Sequence, residues 1–238
     1  MQSPKNIIRE IRQVLKAESD PAVRAGAQRF FKEPVKVYGV KTPRVRSIAK
    51  TCFAGLKELP KETVFTACES LLQTQILEES VVACDWVQRL HRLFEPEDGK
   101  VFGTWIGKYM TNWAVCDTFC NHTVGTFLEM YPLFARTLPE WAMSVNRWKR
   151  RAAAVSLILP ARKGLFHREI FGLAELLLTD AEDMVQKGYG WMLKAASEFD
   201  ETAVLRFVMK HKSAMPRTAL RYAVEKMPPE LRKKAMQK

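Results

Sequence analysis

Apolar residues recur along most of the chain at the three- and four-residue spacing of amphipathic α-helices, and no long stretch alternates with the two-residue period of a β-sheet. Two N-terminal helices are predicted, followed by a Val-rich loop at 33–40 and a helix with Thr42 as N-cap and Pro43 as its first residue. Five helix pairs are predicted after that, at 60–74 with 77–93, 97–109 with 112–129, 132–143 with 146–160, 166–179 with 183–197, and 201–211 with 216–227.

The helix pairs follow one another at intervals of roughly 30–40 residues, which is typical of two-helix repeats that bury their apolar faces by stacking. The sequence therefore predicts an all-α helical-repeat solenoid, and a non-repetitive helical bundle is the alternative. No linker or low-complexity segment interrupts the chain, so a single domain over residues 1–238 is expected. Residues 233–238 are expected to form a frayed basic tail.

The formal charge of the 238-residue chain is +12, which favours a polyanionic partner. The alternative is a basic protein whose charge only keeps it in solution. The basic residues cluster at or near four predicted helix starts, where phosphate binding is favourable: Lys41, Arg44, Arg46 and Lys50; Arg147, Lys149, Arg150 and Arg151; Lys187 and Lys194; and Arg206, Lys210, His211, Lys212, Arg217 and Arg221. Four such clusters, interleaved with Trp, indicate nucleic acid.

Trp113 and Asp117 are four residues apart, so a helix places the ring and the carboxylate side by side. An acid on a wall of cations would repel phosphate. A carboxylate at that position therefore suggests a second task, which is to face a cation that develops during a reaction.

Trp191 lies beside Gly188 and Gly190, which weaken a helix and indicate that a backbone or a ligand approaches closely there. Trp191 is therefore the expected exposed ring, whereas Trp148 is interpreted as structural. If these segments are the inner helices of consecutive repeats, Trp113, Asp117, Arg151 and Trp191 converge on one concave wall.

Other chemistry has little support in the sequence. The five Cys residues lack close CxxC pairs, which indicates a reduced, intracellular protein with Cys in its core. Cys116, Cys120 and His122 do not have the spacing of a metal site, so no metal is expected. No nucleotide-binding or hydrolase-triad motif occurs, and no apolar run approaches the ~18 residues of a membrane span. A cytoplasmic, nucleoid-associated monomer without cofactors is expected.

From about residue 5 to 227 the chain resembles the AlkD-type DNA alkylation-repair glycosylases. The motifs that carry the resemblance occur in order as Tyr38-Gly39-Val40-Lys41-Thr42-Pro43, Asn112-Trp113 through Asp117, Trp148 through Arg151 with Ala152-Ala153, and Gln186-Lys187 through Gly190-Trp191. Two positions depart from typical members, which have Gln at position 41 and a second Trp at position 112. These departures affect the expected substrate preference.

The resemblance implies HEAT-like helix pairs curved around duplex DNA and hydrolysis of the N-glycosidic bond of N3- and N7-alkylpurines. It places the catalytic aspartate at Asp117, the cleft aromatics at Trp113 and Trp191, and the arginine that holds the DNA backbone at Arg151. The full set of expected DNA contacts is Arg151, Arg150, Lys149, Arg147, Lys41, Thr42, Pro43, Arg46, Lys187, Lys194, Arg217 and Arg221. Whether the damaged base is flipped stays open. A non-catalytic DNA-binding repeat protein and a protein–protein scaffold are the alternatives.

Overall fold

The computed structural model describes residues 3–237, and these residues form helices and connecting loops without a β-strand. The isolated backbone bridge between Lys36 and Ile76 pairs the Val-rich loop with the start of a helix. The predicted all-α fold of helix pairs is confirmed. Contacts divide the chain into two compact units, Met1–Thr118 and Phe119–Lys238, and the single domain over the whole chain stays a prediction.

Among its described residues, the first unit contains seven α-helices, which are α1 (Pro4–Ala17), α2 (Pro21–Ala27), α3 (Thr42–Phe53), α4 (Lys61–Leu72), α5 (Leu77–Arg89), α6 (Asp98–Tyr109) and α7 (Trp113–Thr118). Ile7, Ile11 and Leu15 recur at helical spacing on α1 and are almost completely buried against α3 and α4. The α5 helix packs between α3, α4 and α7. Its Trp86 is buried and donates its indole N–H to the Ala49 carbonyl at 2.9 Å, which fixes α5 against α3.

The second unit begins with a π-helical turn at Phe119–Val124. Its α-helices are α8 (Gly125–Met130), α9 (Leu138–Ala142), α10 (Arg147–Val155), α11 (Ile158–Arg162), α12 (His167–Leu176), α13 (Asp183–Ser197), α14 (Glu201–His211), α15 (Arg217–Ala223) and α16 (Pro229–Met236). The α13 helix is the centre of this unit and contacts α10, α11, α12, α14 and α15. Tyr189 of α13 is completely buried and donates its hydroxyl to the Leu178 carbonyl at 2.9 Å.

Several predictions about helix bounds and the basic tail are wrong. The predicted helix at 216–227 already ends at Ala223, and a π-helical turn interrupts the one predicted at 112–129. Thr42 is not the N-cap of α3, because the Lys41 carbonyl already accepts the first helical hydrogen bonds, and Lys41 is the cap.

The predicted helix at 146–160 divides into α10 and α11, since Pro160 lacks an N–H and disfavours a continuous helix before it. Residues 233–236 are not frayed, because they belong to α16, in which Ala235 is completely buried. Lys238 lies outside the described residues.

Candidate nucleic-acid interface and catalytic residues

The α7 helix positions the predicted catalytic pair. Asn112 is buried, and its side-chain carbonyl accepts the Val115 N–H at 3.0 Å, so it caps the first turn of α7. Trp113 and Asp117 follow on successive turns, and both are half-buried. The residue that departs from the resembled family at position 112 therefore has a local structural role, which is to start the helix that carries the acid.

Trp113 is held in one orientation by the chain segment that follows α2. Its indole N–H donates to the Phe30 carbonyl at 3.0 Å, and its ring stacks on Phe31 with 5.6 Å between centroids and 24° between planes. A cavity of about 580 Å³ opens beside the ring. Mostly apolar residues line it, including Phe30, Val37, Val40 and Leu77, and the predicted DNA contacts Lys41 and Thr42 also border it.

Two buried carboxylates support the loop that leads to Lys41, and sequence reasoning missed both. Glu78 is only 4% exposed, and its carboxylate accepts the backbone N–H groups of Tyr38, Gly39 and Val40 at 3.0, 2.8 and 3.0 Å. Three backbone donors compensate for the burial of its charge. The signal in the sequence was an acid pair at the start of α5, just before the apolar run Val81-Val82-Ala83.

Glu79 is the second of these acids, and it is 1% exposed. It accepts the Tyr38 hydroxyl at 2.6 Å and the Arg12 Nε–H at 3.0 Å. Burial, together with the hydrogen bond and negative charge of Glu79, raises the pKa of Tyr38 well above its ordinary value. Gly39 has φ of +98°, and a Cβ at this position would lie 2.7 Å from the Asp20 carbonyl oxygen, so the loop requires glycine here.

The predicted DNA contacts that follow this loop all reach solvent. Lys41, Thr42, Pro43 and Arg46 are exposed at the start of α3. The neighbouring Arg44 differs, because its guanidinium bonds the Glu18 carboxylate at 2.6 Å. The network of Glu78 and Glu79 therefore fixes the backbone directly before a short exposed segment that carries the cations Lys41 and Arg46.

The basic cluster on α10 is bound largely by the protein itself. Arg150 bonds Asp180 at 2.6 Å, and the Arg147 guanidinium lies 5.0 Å from the centroid of the Trp148 ring. Arg147 also pairs with Glu182 at 3.3 Å, and Lys149 approaches Glu140 at 3.8 Å. Trp148 is buried, as predicted. The assignment of Arg147, Lys149 and Arg150 to DNA contacts stays a prediction.

Arg151 is 5% exposed, and its guanidinium donates to the Met184 carbonyl near the start of α13. Gly188 makes room for this side chain, because a Cβ at residue 188 would lie 3.3 Å from the Arg151 Cγ. At Gly190 a Cβ would lie 2.8 Å from the Ala219 carbonyl oxygen of α15. The predicted close approach of a backbone is confirmed at Gly190, whereas at Gly188 a side chain lies closest. Trp191, on the same helix, is half-buried rather than fully exposed.

A family model described as DNA alkylation repair enzyme matches residues 11–227. The chain belongs to this DNA alkylation repair enzyme family. The match contains all the predicted site residues from Lys41 to Arg221, and it ends before α16.

The fold of this DNA alkylation repair family member is also that of a solved relative. The structure described as a predicted DNA alkylation repair enzyme from Enterococcus faecalis matches with a TM-score of 0.80 and 18% sequence identity. The alignment covers 89% of this chain and 98% of that chain. At this identity the likeness shows the fold. A search of curated proteins finds no match.

The remaining predicted contacts of this family member lie in the second unit. Lys187 pairs with Asp183 at 3.1 Å, and Lys194 pairs with Glu225 at 3.0 Å. Arg217 donates to the Met236 carbonyl at 2.9 Å, whereas Arg221 is exposed. The structure thus assembles one part of the predicted site around α7 and another around α13. The convergence of the two parts on one wall stays a prediction.

Metal ligands are not grouped in residues 3–237, where no three His, Cys, Asp or Glu side chains lie together in a suitable arrangement. Cys116 and Cys120 are completely buried, as expected for core residues. Within the same residues, no helix combines the length and apolar character that crossing a bilayer requires.

Proposed function

We propose that this protein is a DNA glycosylase that hydrolyses the N-glycosidic bond of cationic N3- and N7-alkylated purines in duplex DNA. The observation that carries the proposal is the arrangement on α7. There the Phe30 carbonyl and the Phe31 ring orient Trp113, and Asp117 follows one turn later. Membership of the DNA alkylation repair family supports damaged DNA as the substrate.

The chemistry of the substrate explains why one carboxylate suffices. Alkylation at N3 or N7 makes the purine cationic, so the base departs as a neutral molecule when it takes the electron pair of the N-glycosidic bond. Positive charge then develops on the deoxyribose, as in other glycosidic cleavages. Asp117 opposes that charge and orients the water whose oxygen bonds to the sugar carbon, and the proton of this water passes to the carboxylate or to solvent.

The aromatic residues complete the proposed site. The π-faces of Trp113 and Trp191 attract the cationic nucleotide. Trp113 suits this role because its N–H and one of its faces are already engaged by Phe30 and Phe31, so its ring loses little freedom when it binds DNA. The exposed residues Lys41, Thr42, Pro43 and Arg46 contact the DNA backbone. Arg151 is only 5% exposed, so it contacts the backbone only when its guanidinium exchanges the Met184 carbonyl for a phosphate. The protein works as a monomer without a metal or a nucleotide, and a chelator is expected to leave base release unchanged.

The decisive experiment is single-turnover release of 7-methylguanine and 3-methyladenine by the wild type and by Asp117→Asn, with binding measured on the same duplex. Loss of the charge is expected to slow release by about 10²–10³-fold, while affinity for DNA stays level or increases. Asp85→Asn is the matched control, because it removes a half-buried acid that pairs with Arg89 at 2.5 Å on another helix.

The outcomes separate the proposal from a non-catalytic DNA-binding protein. Release by the wild type that falls in Asp117→Asn and persists in Asp85→Asn supports the glycosylase. Tight DNA binding without any release of base would instead favour the non-catalytic alternative. If Asp117→Asn releases no base only because it no longer binds DNA, Asp117 is not the catalytic carboxylate.

A further inference from the structure

The C-terminal helix α16 is an ordered part of the second unit. It begins at Pro229, packs against α14 and α15, and buries Ala235 completely. Two side chains from neighbouring segments hold its end, because Arg217 donates to the Met236 carbonyl and Lys212 to the Gln237 carbonyl, both at 2.9 Å. The backbone of α16 therefore has a defined position relative to α15.

A groove of about 730 Å³ lies between α13, α15 and α16. Its charged lining consists of four cations and one acid, which are Lys187, Arg221, Arg232, Lys233 and Glu225. The acid is already paired, since Glu225 bonds Lys194 at 3.0 Å. The groove thus carries an excess of positive charge that acids lining it do not neutralise.

Three of these cations have no partner within residues 3–237. Arg221, Arg232 and Lys233 are exposed, and none of them bonds a carboxylate or a carbonyl oxygen there. Arg150 differs from these three cations, because its guanidinium bonds the Asp180 carboxylate and therefore has a structural role. Unpaired cations on opposite walls of a groove attract an anion, and guanidinium groups bind phosphate through paired hydrogen bonds.

The position of the groove indicates which molecule carries the phosphate that it binds. Lys187 lines the groove, and Trp191 follows it by four residues on α13, so the two lie on the same helix face. We propose that this groove binds backbone phosphates of duplex DNA, so that Arg232 and Lys233 extend the DNA footprint beyond the residues predicted from the sequence. The identity of the partner rests on the proposed function, whereas the anion site rests on the groove itself. The family match ends at residue 227, before both cations.

The test compares two double variants that remove equal charge. Arg232→Ala with Lys233→Ala removes both α16 cations from the groove, whereas Lys226→Ala with Lys234→Ala removes two nearby cations that do not line it. Ala has high helix propensity, so α16 is expected to stay folded. Affinity for an undamaged duplex is measured for the wild type and both variants over a range of salt concentrations.

The groove variant is expected to lose several-fold more affinity than the control. Its slope of log affinity against log salt should also become shallower by about 0.9 for each phosphate that the variant no longer neutralises. The swap of Arg232→Lys with Lys233→Arg keeps both charges and is expected to retain most of the affinity. Equal losses in the two double variants would overturn the proposal, and so would unchanged affinity in the groove variant.

The result can be distinguished from failure of the glycosylase. Binding to undamaged duplex needs no base release, so the groove stands if the groove variant alone loses affinity, even where the wild type releases no base. Conversely, if the wild type releases alkylpurines but the groove variant binds DNA as its control does, the groove proposal is wrong and the glycosylase stands.

Discussion

The Glu78 carboxylate accepts the Gly39 N–H at 2.8 Å, and this bond joins the start of α5 to the loop that precedes the exposed residues Lys41 and Thr42. The same carboxylate accepts the neighbouring N–H groups of Tyr38 and Val40. A buried acid with three backbone donors fixes the loop more firmly than any single hydrogen bond. The proposed DNA contacts of the first unit therefore depend on a residue that does not itself reach solvent.

Substitution of Glu78 by Gln tests this dependence. The amide keeps the shape of the side chain but loses the charge, and its NH₂ group faces backbone donors, so unfolding free energy is expected to fall by about 1.5–3 kcal/mol. Affinity for duplex DNA is expected to fall as well, because the backbone that leads to Lys41 and Arg46 is held less firmly. Urea unfolding and DNA titration measure the two effects. Glu62→Gln is the control, since Glu62 is exposed on α4, and a loss of affinity as large as that of Glu78→Gln would contradict the interpretation.

The two glycine positions Gly190 and Gly172 offer a second, purely structural test. Gly190→Ala places a Cβ 2.8 Å from the Ala219 carbonyl oxygen and 2.7 Å from the Tyr222 Cβ, and it is expected to destabilise the fold by about 1–3 kcal/mol. Gly172→Ala meets nothing within 4 Å on α12, so it is expected to stabilise by about 0.4–1 kcal/mol. Thermal unfolding of both variants checks the opposite signs. Equal effects of the two substitutions would mean that α15 does not pack closely on Gly190.

The sequence predicted the helices well because their apolar spacing and their breakers are local signals. The bounds of α13 and α14 agree with the prediction to the residue, since both have a strong apolar face and a clear stop. Glycine at 190 was also informative, because a weak helix former in the middle of a helix has to be explained by a close neighbour.

The supporting hydrogen bonds were harder to predict because they join residues distant in sequence. Glu78 and the Tyr38 loop are about 40 residues apart, and Trp113 bonds Phe30 across 83 residues. The basic cluster at Arg147–Arg151 suggested phosphate binding, whereas the structure shows that Arg150 bonds an acid 30 residues away. A run of cations gives no indication of which of them are paired, since the acids come from other helices.

The buried tyrosine Tyr189 predicts how stability changes at alkaline pH. Burial raises the pKa of this phenol above its ordinary value, with the nearby charge of Asp180 as a second cause. The folded protein therefore keeps a proton that the unfolded chain loses near pH 10, so the stability that this group contributes is complete below pH ~10 and falls as pH rises above it. Unfolding of the wild type and Tyr189→Phe at pH 8 to 11 measures the slope. A slope that is unchanged in the variant would contradict this assignment.

The final prediction separates the role of Trp113 in the reaction from its role in the fold. Trp113→Phe keeps an aromatic ring but removes the N–H that bonds the Phe30 carbonyl, so the ring loses its fixed orientation. Trp86→Phe is a close match, because it removes an indole N–H that bonds the Ala49 carbonyl at 2.9 Å in the core of the same unit. Both variants are expected to lose about 0.5–1.5 kcal/mol of unfolding free energy for the missing hydrogen bond, with a further loss at Trp86 for the smaller ring in the core. Only Trp113→Phe is expected to slow release of 7-methylguanine under single-turnover conditions with saturating enzyme. If release slows equally in both variants, Trp113 acts through stability alone, and the aromatic contact proposed for the cationic nucleotide must come from another residue.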